Sequence, residues 1–280
     1  MQVVTQASQL EPFHGGVLVP TMGALHAGHA ALIRHAASLA RAASLPVVVS
    51  VFVNPTQFND PKDLERYPRT LEADLAVCER AGASAVFTPA VEEVYPGGDR
   101  SRVRIPELPE AATAPKLEDA HRPGHFAGVC QVCLRLFELC HPASAVFGEK
   151  DWQQLAVVRA MAAREIPSLA IIGHDTVREA DGLAMSSRNT LLMPQERRRA
   201  PAMARALVEA GAHADPLEAE SAGKRVLLAN RLQPEYVAVR DAATLGPVRT
   251  GSPARVLIAA RCGSVRLIDN APWPGFTLDG

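Results

Sequence analysis

The chain predicts an α/β protein: a parallel sheet covered by helices on both faces, followed by a smaller α/β domain with an antiparallel sheet. Three observations predict it. Short apolar runs rich in Val and Ile alternate with amphipathic stretches as far as residue 172, the rhythm of a parallel sheet with crossover helices. Those runs lack an in–out alternation, as do strands buried on both sides. Beyond Pro194 the texture changes to a helical stretch, then three extended runs, the last two separated by Gly263. At 280 residues the chain has room for two domains, here 1–174 and 175–280.

Each element has its own reason. Gly16-Val17-Leu18-Val19 reads as a buried strand, and residues 30–40 carry apolar groups at helical spacing. Residues 46–53 form a strong strand ended by Asn54-Pro55. Residues 71–81 read as a helix stopped by Gly82, and residues 85–89 as a third strand. Residues 126–140 have helical spacing, residues 143–147 a fourth strand, 153–164 a helix and 169–172 a fifth strand. A helical stretch runs from Gln195 to Ala210, with the Arg197-Arg198-Arg199 run on a solvated face. Residues 211–216 are a loop. Residues 235–240, 254–260 and 264–268 are strands, and Gly263 permits a hairpin.

Composition narrows the function. With 29 basic and 30 acidic residues the net charge is −1, which offers no general attraction to nucleic acid or anionic membrane. No apolar run approaches the roughly 18 residues that span a bilayer, and Met1 to Gln6 lacks the pattern of a secretory signal. A cytoplasmic α/β protein is expected. The five cysteines are scattered and odd in number, unlike a disulfide framework. Cys130 and Cys133 share a spacing with zinc sites, but no second such pair completes a tetrahedron, so they read as small buried hydrophobes.

Every remaining polar motif falls just after a strand, where ligands bind in open α/β sheets. Pro20-Thr21-Met22-Gly23-Ala24-Leu25-His26-Ala27-Gly28-His29 joins the first long strand to a helix. A helix start attracts anions, Gly23 and Gly28 let backbone approach a ligand, and His26 and His29 share one face of the first turn. Asn54 and Gln57 follow the next strand as neutral groups able to orient hydroxyls or a carboxylate. Gly148 ends a strand, with Lys150, Asp151 and Gln154 close behind. Ser186-Ser187-Arg188 forms a small anion cradle in a loop that begins at Val177. Taken singly, each motif also reads as a cap, a turn or a solvated face.

Taken in order, the motifs resemble one family. His26-Ala27-Gly28-His29 resembles the His-x-Gly-His signature of the nucleotidylyltransferase superfamily, and Met185-Ser186-Ser187-Arg188 its Lys-Met-Ser-Lys-Ser type loop. Together with residues 52–58, 67–70, 122–129, 147–155 and 177–189, and more weakly 236–241 and 267–270, they resemble pantothenate synthetases, the ATP-dependent ligases of pantoate and β-alanine, over nearly the whole chain. The resemblance implies a Rossmann-like ATP- and pantoate-binding domain, a smaller C-terminal lid closing through a hinge near residues 173–176, a homodimer, and Mg²⁺ accompanying ATP. It implies two half-reactions: pantoate attacks the α-phosphorus of ATP to give pantoyl adenylate and pyrophosphate, then β-alanine displaces AMP to give pantothenate.

By the same resemblance, His26 and His29 contact the ATP phosphates, and Lys150, Ser186, Ser187 and Arg188 hold the triphosphate and leaving pyrophosphate. Met22, Gly23, Gly148, Asp151, Val177 and Met185 line the nucleotide pocket. Gln57, Gln154 and Asn54 hold pantoate or β-alanine, and Asp74 bears on Mg²⁺. Two departures stand out. The stretch ahead of the first long strand is shorter than the family usually shows, and Ala73 precedes Asp74 where relatives often carry a second acid.

Overall fold

The computed structural model describes residues 1–57, 64, 65 and 67–278. Phe58, the last residue of the motif after the second long run, lies outside them. The chain divides into two compact units. The first comprises Met1–Glu149 and Val157–His174, the second Lys150–Ala156 and Asp175–Gly280.

The first unit holds a six-stranded parallel sheet: β1 (Gln2–Val4), β2 (Val17–Thr21), β3 (Val47–Val51), β4 (Ala85–Phe87), β5 (Ser144–Gly148) and β6 (Ala170–His174), in the order β1-β4-β3-β2-β5-β6. β1 is an addition to the strands expected. Three residues are too short for a periodic signal, and β1 gains its place from the ladder it makes with β4. Helices α1 (Ala27–Arg41) and α2 (Leu71–Ala81) pack on the sheet, where Ile33, Ala36, Ala40, Cys78 and Ala81 meet Val17, Val19, Val47, Val49, Val86 and Val146. Helix α3 (His125–Cys140) is buried along most of its length, Cys130, Cys133 and Cys140 included. Burial pushes the Cys130 and Cys140 thiols up to about 12, where they stay protonated as small core groups. Helix α4 (Trp152–Glu165) begins in the second unit and ends in the first.

Strand order reverses at β2, whose neighbours β3 and β5 lead away in opposite directions. β2 pairs with β3 over five positions but with β5 only through Val17 and Leu18. The two strands therefore part toward their carboxyl ends. That is the switch point at which open α/β sheets bind ligands.

The second unit packs helices on a three-stranded antiparallel sheet, β7 (Gln233–Asp241), β8 (Ala254–Cys262) and β9 (Val265–Trp273). The pairing of Cys262 with Val265 leaves Gly263 and Ser264 as a two-residue turn, the hairpin anticipated from Gly263. Two details differ from expectation. The stretch 195–210 is two helices, α5 (Pro194–Arg199) and α6 (Ala202–Gly211), because Pro201 interrupts it. A further helix, α7 (Pro216–Ala229), follows what reads as a loop; Asp215 caps it by accepting from the Glu218 N–H, and Pro216 opens it.

Candidate active site

In the first unit the carboxyl end of β2 runs into the start of α1 through a strained loop. Gly23 has φ +84° and Ala24 φ +52°, two successive left-handed residues. Alanine there costs of order 1–2 kcal/mol and persists only where its surroundings impose it. Asp74, projecting from the first turn of α2, does so. Its Oδ2 accepts the Ala24 N–H at 3.0 Å, its Oδ1 the Leu25 N–H at 2.8 Å and the Thr70 hydroxyl at 3.1 Å, and the residue is 2% exposed. A Cβ on Gly23 would lie 3.0 Å from Asp74 Oδ2. The two N–H groups that the loop could have offered to an anion already hold a carboxylate.

His26 is the N-cap of α1. Its Nδ1 accepts the Gly28 N–H at 3.1 Å, while His29 Nδ1 accepts the His26 N–H at 3.3 Å, a reciprocal cap in which imidazoles replace the usual Ser and Glu. The rings lie 4.1 Å apart, centroid to centroid. A nitrogen that accepts carries no proton, so each neutral ring holds its hydrogen on Nε2. The cap thus sets both the tautomer and the orientation of the pair, and both side chains are half-buried.

Beyond β3, Asn54 is 1% exposed and makes four hydrogen bonds inside the protein. Its amide NH2 donates to Thr56 Oγ1 at 2.8 Å and to the Gly128 carbonyl at 3.2 Å. Its Oδ1 accepts from the Tyr95 hydroxyl at 2.8 Å and from the Thr56 N–H at 3.3 Å. These bonds fix the Pro55–Gln57 turn on α3. The approach is close: a Cβ on Gly128 would lie 2.5 Å from the Thr56 carbonyl oxygen. Gln57 ends this turn, half-buried. Tyr95 had no distinguishing signal in the sequence; only the fold brings it to Asn54.

The second unit gathers the other set. Lys150 and Asp151 form a turn that leads into α4, and Gln154 lies in the first turn of that helix. Val177 and Met185 are joined by a hydrogen bond from the Met185 N–H to the Val177 carbonyl at 2.9 Å, and Arg178 bridges to Ala184, so the loop they bound is a short hairpin. Ser186 caps the helical turn Ser187–Leu191, its Oγ accepting the Arg188 N–H at 3.2 Å. Asn189 donates to Glu179 and to the Ala184 carbonyl. Arg197 closes the base of the loop with ion pairs to Glu179 and Asp181, both at 2.6 Å. That residue departs from the solvated face expected of the Arg run, because two loop carboxylates need a counter-charge.

A family model described as pantoate-beta-alanine ligase matches residues 2–272. The chain belongs to that family. It is 49% identical over 271 residues to the pantothenate synthetase of Rubrobacter xylanophilus, covering 92% of this chain and 90% of the relative. It is 47% identical over 263 residues to that of a Nocardioides species, covering 91% and 78%. Among solved structures, the pantothenate synthetase of Thermus thermophilus superposes with a TM-score of 0.89 at 42% identity, covering 98% of this chain and all of that one. The pantoate-beta-alanine ligase of Francisella tularensis, complexed with a β,γ form of ATP and β-alanine, superposes with a TM-score of 0.79 at 30% identity, covering 97% of each chain. The chain is accordingly a ligase that condenses pantoate with β-alanine in an ATP-dependent reaction.

Proposed function

We propose that the condensation runs through a pantoyl adenylate, with the residues named above in divided roles. The observation that carries this reading is the reciprocal histidine cap at the switch point. It turns two Nε2–H donors into a fixed pair at the one helix start that follows the carboxyl end of β2. A pantoate carboxylate oxygen bonds to the α-phosphorus as the bond to the β-phosphate bridging oxygen breaks, and pyrophosphate leaves. His26 and His29 donate to the phosphate oxygens on which charge gathers, with His29 the acid-type participant. Lys150, Ser186, Ser187 and Arg188 take the β- and γ-phosphates and the departing pyrophosphate. The β-alanine amine then attacks the acyl carbon, an amide forms, AMP leaves and the ammonium gives up a proton. Positioning and charge neutralisation suffice for both steps.

Gln57 and Gln154 hold pantoate, with Gln57 also near β-alanine. Asn54, whose hydrogen bonds are spent within the protein, serves by fixing the turn that carries Gln57. Met22, Gly23, Gly148, Asp151, Val177 and Met185 supply the nucleotide's surroundings. Bound to the ATP phosphates, Mg²⁺ would supply charge neutralisation there. Among the described residues no cluster of three His, Cys, Asp or Glu side chains could hold a metal. Asp74 already accepts three hydrogen bonds, which supports a role in shaping the loop at His26 rather than in ligating the ion. The family resemblance supports a homodimer acting in the cytoplasm; no helix among the described residues is long and apolar enough to cross a membrane.

The deciding experiment is pyrophosphate release from ATP and Mg²⁺ with β-alanine withheld. A burst of about one equivalent per site that depends on pantoate, followed by turnover once β-alanine is added, is the expected result. Release only when β-alanine is present would overturn the adenylate route.

A further inference from the structure

Two residues that the reaction scheme leaves without a task stand side by side on β9. Asp269 and Asn270 are 3% and 2% exposed, an unusual pair of consecutive buried polar side chains in a strand. Successive strand residues leave opposite faces, and here each face serves a different part of the second unit.

Asn270 reaches the turn at the start of α4. Its Nδ2 donates to the Lys150 carbonyl at 2.9 Å, and its Oδ1 accepts from Arg255 Nε at 2.8 Å. The Arg255 guanidinium lies 3.7 Å from the ring centroid of Trp152, and Trp152 Nε1 donates to the Ala242 carbonyl at 2.9 Å. The turn bearing Lys150 is thereby held by β8, by β9 and by the loop after β7. Asp269 takes the other segment. It receives both Arg178 nitrogens, Nη1 at 2.7 Å and Nη2 at 3.1 Å, and Arg178 Nη1 also donates to the Gly182 carbonyl. Arg178 is the residue whose bridge to Ala184 closes the loop leading to Ser186. Asp269 Oδ1 accepts the Asn270 N–H at 2.8 Å, and the Asn270 carbonyl accepts Arg178 Nη2 at 3.4 Å, so the two anchors are also bonded to one another.

We propose that Asp269 and Asn270 are positioning residues that fix the distance between Lys150 and the Ser186–Arg188 cradle, and with it the fit of the triphosphate. The proposal rests on the reading of those groups as phosphate ligands. Buried charged and amide groups are a poor source of stability compared with apolar packing, but a fully bonded network admits a single arrangement. A strand is a rigid ruler for the purpose: neighbouring residues on it cannot change their separation.

Asn270→Asp keeps size and the acceptor for Arg255 while removing the donor to Lys150; Asp269→Asn removes the charge that holds Arg178. Each is measured beside Lys150→Gln for the KM of ATP, the KM of β-alanine, pantoate-dependent pyrophosphate release and thermal midpoint. The expected result is a fall in pyrophosphate release and a rise in the KM of ATP on the order of tenfold, as misplaced groups produce, with the KM of β-alanine within about twofold. The Asn270→Asp effect should largely vanish in a Lys150→Gln background, as coupled residues require. A lower thermal midpoint with ATP parameters within about twofold overturns the proposal, and so does a parallel rise in both KM values. If Lys150→Gln itself changes nothing, the phosphate role of Lys150 fails and takes the positioning role with it, which that reference distinguishes from failure of the positioning role alone. Should Asn270→Asp not fold, Trp152→Phe keeps a ring beneath Arg255 and removes the donor to Ala242. A smaller shift in the same direction supports the proposal, and unchanged ATP kinetics overturn it.

Discussion

The two sets of residues proposed to bind phosphate are built on opposite principles. His26 and His29 are three residues apart and orient one another through the first turn of α1, with Asp74 steadying the loop before them. Lys150 and the Ser186–Arg188 cradle are far apart in sequence, and a strand far beyond both of them holds their supports. One set carries its own geometry in a helix cap; the other borrows it from β9. Local sets should tolerate distant changes and fail at single residues, whereas borrowed sets should fail at residues that touch no ligand.

The largest effect expected from this contrast is at His29. His29→Ala removes both the proposed phosphate donor and the acceptor of the cap, and should slow adenylate formation on the order of 10²–10³-fold. The cap contributes only about 1 kcal/mol, so the thermal midpoint should fall by a few degrees. His29→Gln restores a capping acceptor without the imidazole and should recover the midpoint but not the rate. Recovery of the rate by Gln would make His29 a cap and nothing more.

Asp74→Ala comes next. It strands the N–H groups of Ala24 and Leu25, and an unsatisfied buried donor costs about 1–3 kcal/mol, so chemical denaturation should show a loss of several kcal/mol. The KM of ATP should rise severalfold, while the Mg²⁺ concentration for half-maximal rate stays put. A shift in that Mg²⁺ dependence would return Asp74 to the metal.

The same contrast explains what the sequence discloses. Strands β2 to β6, the hairpin at Gly263 and the helix start at His26 rest on apolar runs, a turn residue and spacing within ten residues. The roles expected of His26 and Lys150 come from motifs of that length. β1 is three residues whose order comes from β4, and α7 hides behind a Gly- and Asp-containing stretch whose capping signal is only Asp215-Pro216 with Glu218. Tyr95 and Arg255 are ordinary residues until the chain folds, and Trp152, Arg178 and Asp269 fall inside motif stretches without a task of their own. For Asp269 composition added a hint: Asp269-Asn270 places two adjacent polar groups in a strand that is otherwise apolar apart from Arg266.

Gly128 tests whether the first unit has a borrowed part as well. Its missing Cβ lets the turn bearing Gln57 seat on α3. Gly128→Ala forces a shift of that turn, costing about 1–3 kcal/mol as overpacking does. The KM of pantoate should rise more than that of ATP. Equal effects on both would mean that Gln57 and the histidines move together and that the first unit is one rigid site.

The smallest effect concerns pH and the borrowed set. Asp241 ends β7 and caps the turn whose Ala242 carbonyl receives Trp152 Nε1. The Thr244 N–H, aided by the Arg249 guanidinium, the Thr244 hydroxyl and the Ala243 N–H, outweighs burial and holds the Asp241 carboxyl down at about 2, against an ordinary 3.8. A depressed carboxylate stabilises the fold fully above its unfolded value, and that contribution is lost as pH falls from about 4 toward 2. The loss is on the order of 1–2 kcal/mol. In a Trp273→Phe background, which leaves Trp152 as the one indole, fluorescence should change across that window before the fold is lost. Asp241→Asn should show the acid spectrum already at pH 7 and no further step between pH 4 and 2. An unaltered step in Asp241→Asn would mean that other carboxylates hold Trp152, and that the turn after β7 is no part of the support for Lys150.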